Sequence, residues 1–231
     1  MGLNPTNSNM YEWITDTINP LRGACSHKCK YCYVESLKKR FPVIRNKYSG
    51  KIELDNKVIG KKLKSGKFYF VQSMGDLFAE NVPFFMIADI MYYCNSFDNQ
   101  YLFQSKNPGR FNDFLINSKT NILGTTIESN LDYPGMSKAP GIMDRVDAMI
   151  NLRTAGYRTM LTIEPILEFD IKELSKIIIA VSPEWINIGA DSMGHDLPEP
   201  SKRKIIELIE LLKLYGKIEI RQKKNLKRLL K

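Results

Sequence analysis

The stretch Cys25-Ser26-His27-Lys28-Cys29-Lys30-Tyr31-Cys32-Tyr33 contains three cysteines at a C-x3-C-x2-C spacing. Thiolates this close in sequence can converge on one metal centre. A tetrahedral zinc site normally recruits a fourth ligand, whereas three cysteines suffice for a four-iron four-sulfur cluster with one open iron. Three unrelated thiols, or a redox-active pair, form the metal-free alternative. The spacing predicts a metal centre held by Cys25, Cys29 and Cys32.

Three further residues have side chains that bind metals in other proteins. Cys94 ends an apolar run that is typical of a buried helix. His27 lies between two of the clustered cysteines, where we expect it to meet solvent or the outer shell of the centre. His195 lies in a later loop, either as a proton donor or, as we favour, as a surface histidine. None of the three is predicted to be a ligand.

Composition indicates a soluble globular chain of one domain, residues 1–231. It has 231 residues, 43% of them hydrophobic and 26% charged, and no apolar stretch of membrane-spanning length. Residues 1–9 lack a basic region followed by an apolar core, so no secretory signal is expected. Four cysteines, three of them clustered, favour a reducing compartment. We therefore expect a cytoplasmic protein that does not associate with membranes.

From residue 67 onward, apolar strands alternate with amphipathic helices, which predicts parallel βαβ units in an α/β fold. The predicted strands are 68–72, 101–104, 122–127, 158–163, 185–189 and 217–221. The predicted helices are 33–40, 83–95, 108–116, 142–154, 171–181 and 202–215. A short strand at Leu21 and Arg22 completes about six βα units. Residues 1–18 form a predicted N-terminal extension, and residues 43–66 an irregular surface segment.

The cysteine pattern, with Tyr31 immediately before the third cysteine, resembles the signature of radical S-adenosylmethionine (radical SAM) enzymes. The resemblance implies a 4Fe-4S cluster on Cys25, Cys29 and Cys32, with S-adenosylmethionine on the open iron. It implies reductive cleavage of S-adenosylmethionine to a 5'-deoxyadenosyl radical that abstracts hydrogen from a substrate. The implied fold is a partial (β/α)6 open barrel of the TIM type.

The residues on either side of the cysteines indicate which branch of the superfamily the chain resembles. The lead-in 19–23 and the Cys32-Tyr33 pair look like the branch that contains spore photoproduct lyase. The rest of the chain looks closer to a small radical SAM family common in bacteriophages and mobile elements. The resemblance implies an external electron donor such as flavodoxin or ferredoxin. The reaction type stays open among lyase, isomerase and other radical-based modifications.

Polar residues follow five of the predicted strands, at 73–76, 104–106, 125–128, 164–165 and 189–192. Carboxyl ends of parallel strands meet at one edge of the sheet, so these residues are expected to share a site with the cysteines. No Ser-His-Asp arrangement, Walker loop or GxGxxG motif is apparent, which disfavours hydrolase, phosphoryl-transfer and dinucleotide-binding classes.

The resemblance implies cofactor contacts for eight residues, and charge complementarity alone adds Lys106. Tyr31 corresponds to an aromatic near the adenine. Radical SAM proteins often have a Gly-Gly-Glu-like run that contacts the methionyl amino group. Residues 73–76 occupy the corresponding place here, although their sequence, Ser-Met-Gly-Asp, differs from it. The remaining positions correspond to ribose and adenosine contacts, and Lys106 offers a cation for the methionyl carboxylate or a substrate phosphate. Glu128 has a salt-bridged or helix-capping alternative. The candidate cofactor-binding residues are Tyr31, Ser73, Gly75, Asp76, Lys106, Thr126, Glu128, Glu164 and Asp191.

The net charge is +9, and residues 217–231 form a strongly basic C-terminal segment. This segment is either a solvated tail or helix face, which we favour, or a surface that attracts nucleic-acid phosphates. DNA or a modified nucleotide is the candidate substrate, and a peptide or small metabolite stays open. The alternative from another class is a non-catalytic nucleic-acid-binding protein that is stabilised by zinc.

Overall fold

The structure, a computed structural model, describes residues 11–231. Residues 1–10 lie outside the described residues, and with them most of the predicted N-terminal extension and the segment in which no secretory signal was expected. Within residues 11–231, no helix has the length and apolarity needed to cross a membrane.

A parallel seven-stranded sheet organises the fold. The strands in the described part of the chain are β1 (Asp16–Ile18), β2 (Leu21–Arg22), β3 (Glu53–Leu54), β4 (Phe68–Val71), β5 (Gln100–Gln104), β6 (Ile122–Thr126), β7 (Arg158–Ile163), β8 (Trp185–Ile188) and β9 (Glu219–Gln222). The large sheet has the order β1-β4-β5-β6-β7-β8-β9, and each of its pairings is parallel. The predicted α/β class with a parallel sheet is confirmed.

Helices occupy the connections between the parallel strands, as βαβ units require. They are α1 (Tyr33–Arg40), α2 (Pro42–Lys47), α3 (Asn56–Ile59), α4 (Phe84–Asn95), α5 (Ile142–Thr154), α6 (Ile171–Val181) and α7 (Lys202–Tyr215). Two 3-10 helices span Pro108–Asp113 and Lys224–Arg228. The helix predicted at 108–116 is therefore a shorter 3-10 turn.

The first strand of the large sheet differs from the prediction. Leu21 and Arg22 were expected to begin the sheet, but they pair antiparallel with β3 in a separate two-stranded sheet. The sheet begins instead with β1, which pairs with β4. Pro20 separates the two short strands and has no N–H to donate to a ladder. Residues 43–66, predicted to be irregular, supply β3 together with α2 and α3.

Side chains alternate between the two faces of the large sheet. On β5, for example, Phe103 belongs to the main apolar core, whereas Leu102 belongs to a smaller cluster on the other face. That smaller cluster contains Tyr11, Ile14, Leu102, Ile122, Met160 and Trp185. The ring of Tyr11 lies 6.1 Å from that of Phe70 on β4, so the residues just before β1 pack on this face of the sheet.

Residues 217–231, for which we favoured a solvated tail or helix face after a strand at 217–221, are integrated into the fold. They contain β9 and the second 3-10 helix, and Leu226 is fully buried in the main core. The segment is nevertheless basic at its surface, because Lys217, Lys224 and Lys227 are exposed.

Candidate functional site

The cysteine loop, residues 24–32, is hydrogen-bonded to two other parts of the chain. Asn81 Nδ2 donates to the carbonyl oxygen of Ala24 at 2.9 Å. The backbone N–H of Lys30 donates to the Met136 carbonyl oxygen at 2.8 Å, and that of Lys138 donates to the His27 carbonyl oxygen at 2.6 Å. The segment 129–140, which follows β6, therefore packs along the cysteine loop.

Burial and neighbouring groups raise the pKa of two of the three clustered thiols. Burial raises the pKa of Cys25 to about 12, and Asp76, Cys29 and Cys32 raise it further in that direction. Burial also raises the pKa of Cys32, with a contribution from Cys29. Cys29 Sγ lies 3.2 Å from Ser137 Oγ. No disulfide involves these residues.

Within the described residues, no group of three or more histidine, cysteine, aspartate or glutamate side chains is arranged to hold a metal ion. The chemistry of the donor set does fit a thiophilic metal centre, since three half-buried thiols share one loop and Cys29 contributes to the raised pKa of both Cys25 and Cys32. A bound cation would offset these effects, because it stabilises the thiolate form of a cysteine.

Asp76 and His27 form a buried pair that links the cysteine loop to the end of β4. His27 Nε2 lies 2.8 Å from Asp76 Oδ2, and the side chains are 5% and 9% exposed. The N–H of Lys106 also donates to Asp76 Oδ2 at 2.8 Å. Burial alone would raise the pKa of Asp76, but the bond and charge of His27 lower it below the ordinary value. His27 is thus buried, so of its two expected positions the one in contact with solvent is excluded, and the one in the outer shell of the centre stays a prediction.

Tyr31, Lys106, Glu128 and Arg145 form a second buried network. The Tyr31 hydroxyl and the Lys106 ammonium both donate to Glu128 Oε1, and Lys106 also donates to the Tyr31 oxygen. Arg145 Nη1 donates to Glu128 Oε2 at 2.9 Å and to the Thr126 carbonyl oxygen at 2.6 Å. Burial would raise the pKa of Glu128, but Lys106 and Arg145 lower it to about 2. Glu128 is therefore a buried carboxylate and not a surface acid.

Glu164 belongs to a third cluster, which involves the C-terminal segment. Lys223 Nζ donates to Glu164 Oε2 at 2.6 Å, and Asn225 Nδ2 donates to Oε1 at 2.7 Å. Asn225 Nδ2 also lies 2.6 Å from the carbonyl oxygen of Ala190, just after β8. Gly189 allows the Glu164 carboxylate to lie close to the backbone, because a Cβ at position 189 would be only 2.8 Å from that carboxylate.

Asp191, His195 and Ser36 form a hydrogen-bonded chain. His195 Nδ1 lies 2.7 Å from Asp191 Oδ1, and His195 Nε2 lies 3.1 Å from Ser36 Oγ on α1. Burial raises the pKa of Asp191, but hydrogen bonds from His195 outweigh this and lower it. The sequence had suggested no Ser-His-Asp arrangement and a surface position for His195. Both expectations are wrong, because the chain folds Ser36 against a loop 159 residues away.

The remaining predicted positions lie at the ends of β4 and β6. Ser73 Oγ donates to Asn19 Oδ1 at 3.3 Å, and the Met74 N–H donates to the same oxygen at 2.7 Å. A Cβ on Gly75 would lie 3.0 Å from Gln72 Nε2. Gln104 Nε2 donates to Thr126 Oγ1 at 3.4 Å.

Sequence reasoning missed Arg145, Lys223, Asn225 and Tyr11 as members of these clusters. The Tyr11 hydroxyl donates to Gln104 Oε1 at 2.8 Å and lies 2.7 Å from Thr162 Oγ1, so it bridges β5 and β7. The signal for Arg145 was a charged residue on the otherwise apolar face of α5, beside Val146 and Met149. Apart from their position in the basic segment, nothing in the sequence indicated that Lys223 and Asn225 would belong to the site.

The fold and site together define an α/β protein in which a three-cysteine loop and paired buried charges follow the strands of a parallel sheet. A sequence model of the family described as "Protein of unknown function (DUF5131)" matches residues 8–203. The chain belongs to this family. No curated protein matches the sequence.

Two kinds of solved structure have a similar fold. One is a variant of spore photoproduct lyase with bound AdoMet and dinucleoside spore photoproduct, with a TM-score of 0.54 and 13% identity. Another is SuiB of Streptococcus suis, with a TM-score of 0.55 and 10% identity. SuiB was also solved with S-adenosylmethionine, with a TM-score of 0.52, and with its precursor peptide SuiA.

The similarity covers most of this chain but only part of its structural neighbours. It spans 89% of this chain and 64% of the lyase, and 90% of this chain and 48% of SuiB. At these identities the likeness concerns the fold.

Proposed function

We propose that the protein is a radical SAM enzyme. The observation that carries the proposal is the loop of three free, half-buried thiols, Cys25, Cys29 and Cys32, beside the buried acid Asp76 that follows β4. The proposal is supported by a fold that resembles two proteins solved with S-adenosylmethionine. We interpret the open parallel sheet as the partial (β/α)6 barrel of this superfamily, and we assign the chain to its phage-associated members on the sequence resemblance.

In the proposed enzyme, Cys25, Cys29 and Cys32 hold a 4Fe-4S cluster. When bound, the cluster and S-adenosylmethionine supply reductive cleavage to a 5'-deoxyadenosyl radical for hydrogen abstraction. The protein's own contribution is to orient the loop through the His27–Asp76 pair and to keep charged groups fixed. Lys106 and Tyr31 hold the Glu128 carboxylate beside the loop.

For the substrate, we propose DNA or a modified nucleotide. The supporting observation is that Lys223 and Arg228 anchor the basic segment 217–231 next to the strand ends, through Glu164 and Glu199. Lys227 and Lys231 of the same segment are exposed. The similar fold of SuiB, which was solved with a precursor peptide, favours a peptide as the second candidate.

The zinc-stabilised alternative needs a fourth ligand. His27 is the histidine nearest to the cysteines in sequence, and its Nε2 is engaged by Asp76 at 2.8 Å. We rank this alternative below the enzyme because the fold resembles proteins that were solved with S-adenosylmethionine.

Anaerobic reconstitution with iron and sulfide, followed by dithionite reduction with S-adenosylmethionine, tests the proposal. We expect iron-sulfur absorbance and 5'-deoxyadenosine from the unaltered protein and from C94A, whose cysteine lies in the apolar core. C29A is expected to lose both signals. Retention of zinc with no iron-sulfur absorbance would contradict the proposal.

A further inference from the structure

A cavity of about 310 Å³ lies at the amino ends of β5 and β6, whereas the cysteine loop contacts segments that follow β4 and β6. Its walls come from the turn after α4, from β5 and from the segment before β6. We call it the asparagine cavity, because Asn95, Asn99, Asn117 and Asn121 line it. Its volume is at the lower end of the range for small-molecule sites, about 300–1,000 Å³.

Three of these asparagines already use their side-chain oxygen within the protein. Each Oδ1 accepts a hydrogen bond from a backbone N–H, at 2.8 Å for Asn99, 3.0 Å for Asn117 and 3.1 Å for Asn121. A backbone N–H can only donate, so these bonds determine which atom of each amide is the oxygen. The nitrogen of each amide is therefore the group left for a ligand.

The Nδ2 atoms of the same three asparagines have no hydrogen-bond partner within residues 11–231. Asn99 Nδ2 is fully buried, and Asn121 is 3% exposed. Each amide nitrogen carries two N–H groups, and a buried donor without an acceptor is unfavourable. The wall of the cavity therefore contains several unused donors, which a ligand rich in oxygen atoms would satisfy.

The cavity also offers acceptors. Ser96 Oγ donates to the Tyr92 carbonyl oxygen at 2.8 Å, and Thr120 Oγ1 donates to Asn121 Oδ1 at 3.4 Å. Both hydroxyl groups have used their proton and keep lone pairs for a ligand. A ligand that fits must therefore donate as well as accept.

The charges around the cavity favour a neutral ligand. Among the described residues that line it there is no lysine or arginine, whereas the exposed Asp98 is one of them. The cavity also lies at the carboxyl end of α4, where the helix dipole places a partial negative charge. Both features disfavour phosphates and carboxylates.

We infer that the asparagine cavity binds a neutral monosaccharide, either free or as the terminal unit of a glycan. Hydroxyl groups donate and accept, so a sugar ring can match the amide nitrogens and the oxygen acceptors at once. The half-buried ring of Phe97 offers a surface for the apolar face of the sugar. The inference is independent of the proposed function, because no residue of the cavity belongs to the cysteine loop or to the strand-end clusters.

The test uses variants that keep the backbone hydrogen bonds and remove the donors. In N117D and in N117D/N121D a carboxylate oxygen still accepts the backbone N–H, but the Nδ2 donors are lost. N46D makes the same change at an exposed asparagine on α2 and is the control. N117D alters an exposed residue and keeps the test decisive if the double variant does not fold.

Saturation-transfer NMR and titration calorimetry on the whole protein measure binding of glucose, galactose, ribose, their methyl glycosides and glucose 6-phosphate. We expect at least one neutral sugar to bind, with an affinity that falls about threefold in N117D and about tenfold in N117D/N121D, and that is unchanged in N46D. Glucose 6-phosphate is expected to bind about tenfold more weakly than glucose. Methyl glycosides that bind as well as the free sugars would identify a terminal glycan unit, and weaker binding of them a free sugar. No binding of any neutral sugar, an affinity unchanged in both cavity variants, or tighter binding of the phosphate would overturn the inference.

Discussion

At the scale of single residues, the acids predicted as cofactor contacts already have partners within the protein. Asp76 meets His27, Glu128 meets Lys106 and Arg145, and Glu164 meets Lys223. A carboxylate buried without a partner would be unstable, so each one is accompanied by a cation or by several donors. These acids shape and rigidify the site in the form described here.

Replacing Glu128 with glutamine tests the second buried network. E128Q removes the negative charge and leaves Lys106 and Arg145, which are 13% and 6% exposed, without a counterion. We expect a loss of about 3 kcal/mol in the free energy of unfolding, measured by urea denaturation. The exposed pair Lys176–Glu173 is the control, and E173Q is expected to cost less than about 0.5 kcal/mol. Equal losses in the two variants would contradict the buried-charge argument.

The lowered pKa of Glu128 predicts that the stability of the protein depends on pH. The pKa of Glu128 is about 2 in the folded protein, below its ordinary value of 4.5. The folded state therefore binds this proton less readily than the unfolded state, and stability is lost as pH falls from about 4.5 toward 2. The difference corresponds to about 3 kcal/mol. Urea midpoints between pH 6 and pH 3 are expected to fall more steeply in the unaltered protein than in E128Q. Parallel curves would show that other carboxylates carry the effect.

At the scale of elements, the cysteine loop begins at a backbone contact that only glycine allows. Gly23 has a φ of +96°, and a Cβ on it would lie 2.1 Å from the Lys51 carbonyl oxygen. The N–H of Gly23 donates to the Lys47 carbonyl oxygen at 2.9 Å. This close approach couples the loop to α2 and β3, the elements that the sequence left irregular.

Substituting Gly23 with alanine tests that contact. Gly50 is a matched control, because its φ is +80° and a Cβ there would meet nothing within 4 Å. We expect G50A to cost about 1 kcal/mol from the backbone conformation alone. G23A adds a steric clash and is expected to cost about 3 kcal/mol. Iron-sulfur absorbance after reconstitution should fall in G23A only. A G23A protein as stable as G50A would show that the loop start is free to move.

At the scale of the whole molecule, the C-terminal segment completes the sheet and anchors to the strand ends. Its strand β9 pairs with β8, and Arg228 donates to Glu199 and to the Asp191 carbonyl oxygen. The segment thereby joins the last strand to the loop that contains His195. Its basic residues contribute to packing as well as to surface charge.

A pair of leucine substitutions distinguishes an integrated segment from a solvated tail. Leu226 is 0% exposed, whereas Leu214 on α7 is 89% exposed. We expect L226A to lose about 3 kcal/mol in the free energy of unfolding. L214A is expected to change it by less than about 0.5 kcal/mol. The measurement is urea denaturation of both proteins, and a neutral L226A would restore the tail interpretation.

Patterns within short stretches of the sequence were enough to predict most of the helices and strands. The helices at 33–40, 142–154, 171–181 and 202–215 were predicted with the bounds that the structure has. The strands from β4 to β8 agree to within one residue at each end. Apolar periodicities of 3.6 and 2 residues repeat within a single element, so they can be interpreted without knowing what the element packs against. The grouping of the three cysteines was likewise local.

Only the tertiary structure decided which residues meet across the site. Glu128 and Arg145 are 17 residues apart, Glu164 and Lys223 are 59 apart, and Ser36 and His195 are 159 apart. It also decided that β1 and not Leu21–Arg22 starts the sheet, and that the basic segment is buried at Leu226. Such pairings depend on how distant elements pack and on where a buried charge finds a partner. No pattern within a short stretch of sequence encodes that choice.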